Sequence, residues 1–218
     1  MYRRLIFLCF LLFPLIAYTQ TSLGIRGGVS TSTYNYLPTP GSRNVEVPGL
    51  GGTTFALVFE YFSSKNAGIE LNLQYIRMGF EQSNGDETNP LVNQTKLNYL
   101  KLPVLSSFFI GKSGRFQVKA GPHLGYLLNA EDIQREISDS TTPVLPTFGG
   151  PEDKPKKLMY GITAGAGISK LFGKSTLAGE VRFSYDFTNP ESQDRVFDIY
   201  STSLEFTLAY LFQIKERK

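Results

Sequence analysis

The sequence predicts an all-β fold: an eight-stranded antiparallel up-and-down transmembrane β-barrel with short periplasmic turns and long external loops. Three observations predict it. Apolar and polar residues alternate with period two in eight segments, the mark of strands with two chemically different faces. The connections between those segments alternate between short and long. Aromatic residues gather near both ends of the segments, as the two interfaces of a membrane favour.

The first 19 residues stand apart from this pattern. Arg3 and Arg4 precede an uninterrupted apolar run from Leu5 to Ala17, and Ala17 and Thr19 have the small-residue spacing of a signal peptidase site. Residues 1–19 are therefore expected to be a cleaved signal peptide, and residues 20–218 the barrel domain. Of the 218 residues, 22 are Lys or Arg and 19 are Asp or Glu, and loss of Arg3 and Arg4 takes the formal charge from +3 to +1. That near-neutral product lacks the basic excess of a nucleic-acid binder. The single cysteine, Cys9, lies in the leader, so the exported chain has no disulfide, thiol nucleophile or thiolate metal site. No later run approaches the roughly 18 apolar residues of a spanning helix, so strands must do the crossing.

The first strand is expected over Leu23 to Thr33 and the second over Thr53 to Phe62, where Phe55, Leu57, Phe59 and Tyr61 share a face. In the third, Gly68 to Phe80, Ile69, Leu71, Leu73 and Tyr75 oppose Glu70, Asn72 and Gln74. The fourth and fifth form a hairpin from Leu97 to Leu128 around a polar turn, Gly111 to Arg115. The sixth covers Leu158 to Phe172, the seventh Ser175 to Phe187 and the eighth Ile199 to Phe212. In the eighth, Tyr200, Thr202, Leu204, Phe206, Leu208, Tyr210 and Phe212 alternate with Ser201, Ser203, Glu205, Thr207 and Ala209.

Ser63 to Ala67, Gly111 to Arg115 and the glycine-first pair Gly173-Lys174 are tight turns. Tyr34 to Gly52, Glu81 to Lys96, Asn129 to Lys157 and Thr188 to Asp198 are long loops. Strict alternation over an even strand number puts every long loop at one end. One aromatic girdle then comprises Tyr61, Phe62, Phe108, Phe116, Phe172, Tyr210 and Phe212, and the other Tyr75, Tyr99, Tyr126, Tyr160, Tyr185, Phe187 and Tyr200.

With the oily face outward, the strands leave an inner charged set: Arg26, Glu60, Glu70, Lys101, Lys119, His123, Glu180, Arg182, Asp186 and Glu205. A lipid-facing Lys or Arg near the midplane would cost about 2–4 kcal/mol, which drives these groups inward. Eight strands enclose a space that side chains fill, so a packed, charge-balanced core is expected in place of a channel. A two-residue turn at Gly173-Lys174 would pair Gly167 with Glu180, Gly165 with Arg182 and Gly161 with Asp186. Each long side chain then faces a residue with none, and the glycines read as steric relief. As a phosphate loop, GITAGAG would need a following helix, and a strand follows. In the hairpin, Pro103 falls opposite His123, and Pro103 and Pro122 predict bulges or breaks, since proline donates no ladder bond.

At these residues the chain resembles the outer-membrane β-barrel family often labelled PorT-like. The matching pieces are Leu100-Lys101-Leu102-Pro103, Lys119-Ala120-Gly121-Pro122 with Gly125-Tyr126, Ala164-Gly165-Ala166-Gly167, Glu180-Val181-Arg182-Phe183-Ser184-Tyr185, and the terminal aromatic strand. The resemblance implies a signal-directed, eight-stranded barrel in a bacterial outer membrane, and it brings no catalytic residues.

His123, the one histidine, is the first candidate for acid–base chemistry. Catalysis there would need a nucleophile and an orienting acid within hydrogen-bond reach, and no serine stands within two residues of it. An interior polar filler is the plainer reading. The 29-residue loop 129–157 is longer than an idle connection usually is, and its acidic residues match no calcium-loop spacing. It is the candidate site for an external ligand or protein. Asn93-Gln94-Thr95 matches a glycosylation sequon, discounted for a bacterial route.

The expected function is that of a non-enzymatic outer-membrane barrel, without an open pore or cofactor, with a structural or loop-mediated binding and assembly role. Its expected partners are outer-membrane lipid and the export and barrel-assembly machinery. Two alternatives stand beside it: a lipid-modifying enzyme using His123, and a soluble exported ligand-binding β-calyx with its charged face outward.

Overall fold

The computed structural model describes residues 20–37, 40–41, 45–64, 66–84, 86, 88–89, 91–137, 148, 153, 155–188 and 198–215. The signal peptide expected at 1–19 lies outside the described residues, as does most of the stretch 143–157.

Eight long strands form one closed ring. They are β1 (Gln20–Leu37), β3 (Gly51–Phe62), β4 (Ala67–Ser83), β5 (Val92–Gly111), β6 (Gly114–Arg135), β7 (Leu158–Phe172), β8 (Ser175–Asp186) and β9 (Asp198–Lys215). Each pairs antiparallel with its neighbour in the chain, and β9 returns to β1 from Lys215 to Asp198, which leaves the wall without an edge. Closure matters because a membrane offers no water to unpaired backbone groups.

A further short strand, β2 (Val45–Val47), pairs with Tyr34–Tyr36 of β1 inside what the sequence assigned wholly to a loop. Other loops are also shorter than expected. β4 runs on to Ser83, β5 begins at Val92 and β6 continues to Arg135, so residues 129–135 are strand. A crossing needs only about 9–11 residues, so these three strands carry the wall well beyond the membrane. Among the described residues no helix is long and apolar enough to cross one.

The turn at Gly173-Lys174 closes with Phe172 opposite Ser175, and Gly173 at φ 60° supplies the left-handed conformation the turn requires. The other hairpin is tighter than its polar run suggested: the ladder extends to Gly111 opposite Arg115, leaving Lys112, Ser113 and Gly114 between the paired ends. Gly111, at φ 120°, makes that possible. Pro103 does face His123. Pairing is interrupted at Leu102-Pro103 along β4 and at Val104-Leu105 along β6, yet the register resumes unchanged beyond each gap. The prolines therefore break ladders locally without a bulge. Bulges lie elsewhere in β6, where the register shifts admit Leu128 and Ile133 as extra residues.

Candidate functional site

The interior is stacked in layers, and strand parity builds them. Along β4, Glu70, Asn72 and Gln74 point inward and are buried, while Ile69, Leu71 and Leu73 face out. Along β9, Glu205 is buried two residues from Ser203 and Thr207, and Phe206 beside it is 52% exposed. All ten charged or titratable residues assigned to the interior by the sequence are buried. A soluble calyx would need the opposite facing, so that alternative fails.

Toward the short turns, three cations meet three carboxylates. Arg26 binds Glu70 at 2.8 Å and Glu180 at 3.1 Å. Lys119 contacts Glu60 at 3.2 Å, Glu180 at 2.6 Å, and also Glu70. Arg182 joins Glu180 at 2.7 Å and also reaches Glu70. Asn72 and Gln117 donate further hydrogen bonds to Glu70 and Glu180, both at 2.7 Å. The balance is physically required, because removing one partner from a buried ion group costs about 3–5 kcal/mol.

One level toward the long loops, His123 occupies a second polar group. Its Nε2 lies 2.7 Å from Asp186 Oδ1 and its Nδ1 2.9 Å from Thr163 Oγ1, which in turn meets Ser184 Oγ at 2.8 Å. Ser201 donates to the other Asp186 oxygen at 2.8 Å, and Lys101 Nζ sits 3.2 Å from Asp186 without an aligned hydrogen bond, so its attraction is ionic. Glu205 accepts from Gln74 Nε2 at 2.5 Å, and Gln74 also donates to Thr54 at 2.7 Å.

Glycines make room for these side chains. A Cβ on Gly161 would lie 2.7 Å from His123 Cε1, one on Gly167 2.8 Å from Glu180 Cγ, and one on Gly165 3.0 Å from Arg182 Cγ. Gly161 thus serves His123 as much as Asp186, its partner across β8.

Apolar groups close the polar layers off. On the long-loop side, Tyr34, Tyr36, Ile76, Met78, Phe80, Leu97, Tyr99, Leu127, Met159 and Ile199 form one buried cluster, joined by Val47 of β2 and by Phe148. At the short-turn mouth, Phe62 and Phe109 pack edge to face at 5.2 Å, with the Arg115 guanidinium 4.2 Å above Phe109. Two residues assigned to the lipid-facing girdles are therefore misplaced: Tyr99 is 1% exposed and Phe62 5%. Both lie on inward-facing positions of their strands. Outward rings such as Phe108, Phe116, Phe172, Tyr126 and Tyr160 do stand near the rims.

The loop candidate, 129–157, is partly wall. Asp132 on β6 accepts from Thr95 Oγ1 at 2.8 Å and from the Phe148 amide at 3.2 Å, so it holds Phe148 against the buried apolar cluster. Burial raises the Asp132 pKa, against the lowering effect of those two hydrogen bonds. Asn93, in the discounted sequon, lies in β5 and accepts from the Glu136 and Ile137 amides at 2.9 and 3.0 Å. Glu131, Asp132 and Glu136 are spread along one strand and its end; Asp139 and Lys154 lie outside the described residues.

Sequence reasoning missed Thr163 and Ser201 as partners of the His123 group. Thr163 is found only through the register of β6 on β7, and a long loop joins those strands, so no turn length fixed it.

An ion-paired interior, sealed by apolar layers and wrapped in an outward oily belt, defines a small transmembrane β-barrel. The chain belongs to the outer membrane protein beta-barrel domain family, whose model matches residues 18–190, and this places it in the bacterial outer membrane. Among solved structures, it is similar to the Neisserial surface protein A NspA, at 10% identity and TM-score 0.48, covering 88% of this chain and 97% of that one. OprG from Pseudomonas aeruginosa matches at 11% identity and TM-score 0.48, covering 92% and 99%. Ail, the attachment invasion locus protein of Yersinia pestis, matches at 11% identity and TM-score 0.40, covering 88% and 99%. No curated protein matches the chain.

Proposed function

We propose that the chain is a PorT-like, non-enzymatic barrel, exported by a leader cleaved near Thr19 and inserted by the barrel-assembly machinery. Its body is closed, and its long external loops, above all 129–157, bind or brace an external partner. The observation that carries this reading is the double seal. Tyr99, Leu97, Met78 and their neighbours cover the His123 group from the loop side, and Phe62 and Phe109 block the turn side. The burial of these two layers and of His123 between them supports a closed body and argues against a lipid reaching the imidazole. The strand extension of β4, β5 and β6 supports the loop role, since it presents the loops on a rigid, hydrogen-bonded base.

One specific observation favours the enzymatic reading. Thr163, His123 and Asp186 form a hydroxyl–imidazole–carboxylate chain with hydrogen-bond spacings throughout. Their burial opposes it, because the Thr163 hydroxyl has no surface at which an ester could approach. His123→Gln and Thr163→Val, each confirmed folded by heat-modifiable gel mobility, decide the matter. Lipid extracts of cells carrying either variant should match wild type by mass spectrometry. Loss of one lipid species in both would establish the enzyme.

A further inference from the structure

A cleft of about 250 Å³ opens on the outer wall just beyond the membrane, where Arg77 of β4 meets Gln94 and Lys96 of β5 between Leu50 and Ile133. Strand order fixes its height. Tyr75, Leu100 and Tyr126 are paired across β4, β5 and β6 and face outward, with exposed Leu73, Leu102 and Leu124 below them. That row marks the interface. Arg77 shares the outward face, since Ile76 and Met78 are buried inside, and it stands two residues above Tyr75, roughly 6–7 Å along the strand. This is headgroup height.

The charges in the cleft are not balanced. Lys96 is paired with Glu131 at 3.2 Å and Gln94 donates to Glu81 at 2.6 Å. The Arg77 guanidinium has no carboxylate partner among the described residues, and its Nε is buried without a hydrogen bond. The buried cations among the described residues, Arg26, Lys101, Lys119 and Arg182, each have one or more. Gly79 lies opposite Lys96, and the Leu50 side chain packs over it, so Leu50 forms one wall of the cleft beside the two cations. A planar guanidinium left unpaired beside a second cation suits a bidentate phosphate oxygen pair.

We propose that Arg77, with Lys96 and Gln94, binds the phosphate of a lipid headgroup in the leaflet on the long-loop side. Leu50 and Ile133 would flank the sugar or glycerol that bears the phosphate. The proposal rests on the chain spanning the membrane with its long loops outside, and the test is made in detergent, where orientation plays no part.

The purified barrel is titrated with dioleoylphosphatidic acid and read by native mass spectrometry, with dioleoylglycerol and inorganic phosphate in parallel. Wild type should retain one phosphatidic acid and little dioleoylglycerol. Arg77→Gln should lower occupancy about fivefold and Lys96→Gln about twofold, as expected for losing charge-assisted contacts. Lys112→Gln, at the opposite rim, should bind as wild type, and millimolar inorganic phosphate should not displace the lipid. Should Arg77→Gln fail to fold, Lys96→Gln alone decides. Equal binding by wild type and the folded variants, equal binding of dioleoylglycerol, or an equal loss in Lys112→Gln would overturn the site. Displacement by inorganic phosphate would overturn the lipid as its source. Failure of any kind here would leave carbonate-resistant membrane retention unchanged, so the barrel reading is tested separately.

Discussion

At the scale of single residues, the interior is governed by volume as much as by charge. Gly161 is the sharpest case: a methyl group there would press on the His123 ring and on the Tyr185 carbonyl. Neither can retreat, because His123 is held on both nitrogens and Tyr185 is in the ladder. Gly161→Ala should cost about 1–3 kcal/mol, the range for overpacking a filled core. Gly114, at the short-turn rim, has nothing within 4 Å of such a methyl group, and Gly114→Ala should be near neutral. Urea unfolding in detergent micelles measures both. The role of Gly161, Gly165 and Gly167 was legible in the sequence because a two-residue turn fixes the register of β7 on β8. The hydrogen bond between His123 and Thr163 was not, because it crosses β6 and β7, whose register no short turn sets.

At the scale of elements, the hydropathy pattern has a phase that reverses. Within the membrane the outward residues are oily and the inward ones polar. Beyond it, water lies outside, and the inward positions become the apolar ones: Ile76, Met78 and Phe80 continue the inward line of Glu70, Asn72 and Gln74 along one strand. Grouping the rings by their height along the strands, without regard to side, therefore put Tyr99 and Phe62 in the girdles although strand parity turns both inward. The bulges at Leu128 and Ile133 add a second obstacle, since each shifts the alternation of β6 by one and disguises residues 129–135 as loop. The eight membrane segments themselves were legible because neither effect operates there. Phe206 and Thr207 test the phase directly. Phe206→Lys should cost about 2–4 kcal/mol and sharply reduce membrane insertion, the penalty for a cation on the lipid face near the midplane. Thr207→Lys, beside Glu180 on the inner face, should insert far better. Quantifying folded barrel in carbonate-washed membranes compares them, and equal losses would mean that inside and outside are exchanged.

At the scale of the whole molecule, the barrel is a wall whose strength comes from its contents. Five carboxylates and four Arg or Lys side chains, with His123 between Asp186 and Thr163, fill the middle of the ring and tie every strand except β2 to at least one other across the lumen or along the wall. Apolar layers at each end keep water from screening those pairs. The chain thus resembles a plugged post more than a pipe, and its surfaces for recognition are the loops, their strand base and the cleft at Arg77. The most direct measurement of that central claim is single-channel recording of the purified protein in a planar lipid bilayer. A sealed barrel predicts insertion with no discrete conductance steps at any holding potential. Reproducible, well-resolved steps from the wild-type protein would show an open lumen and contradict it.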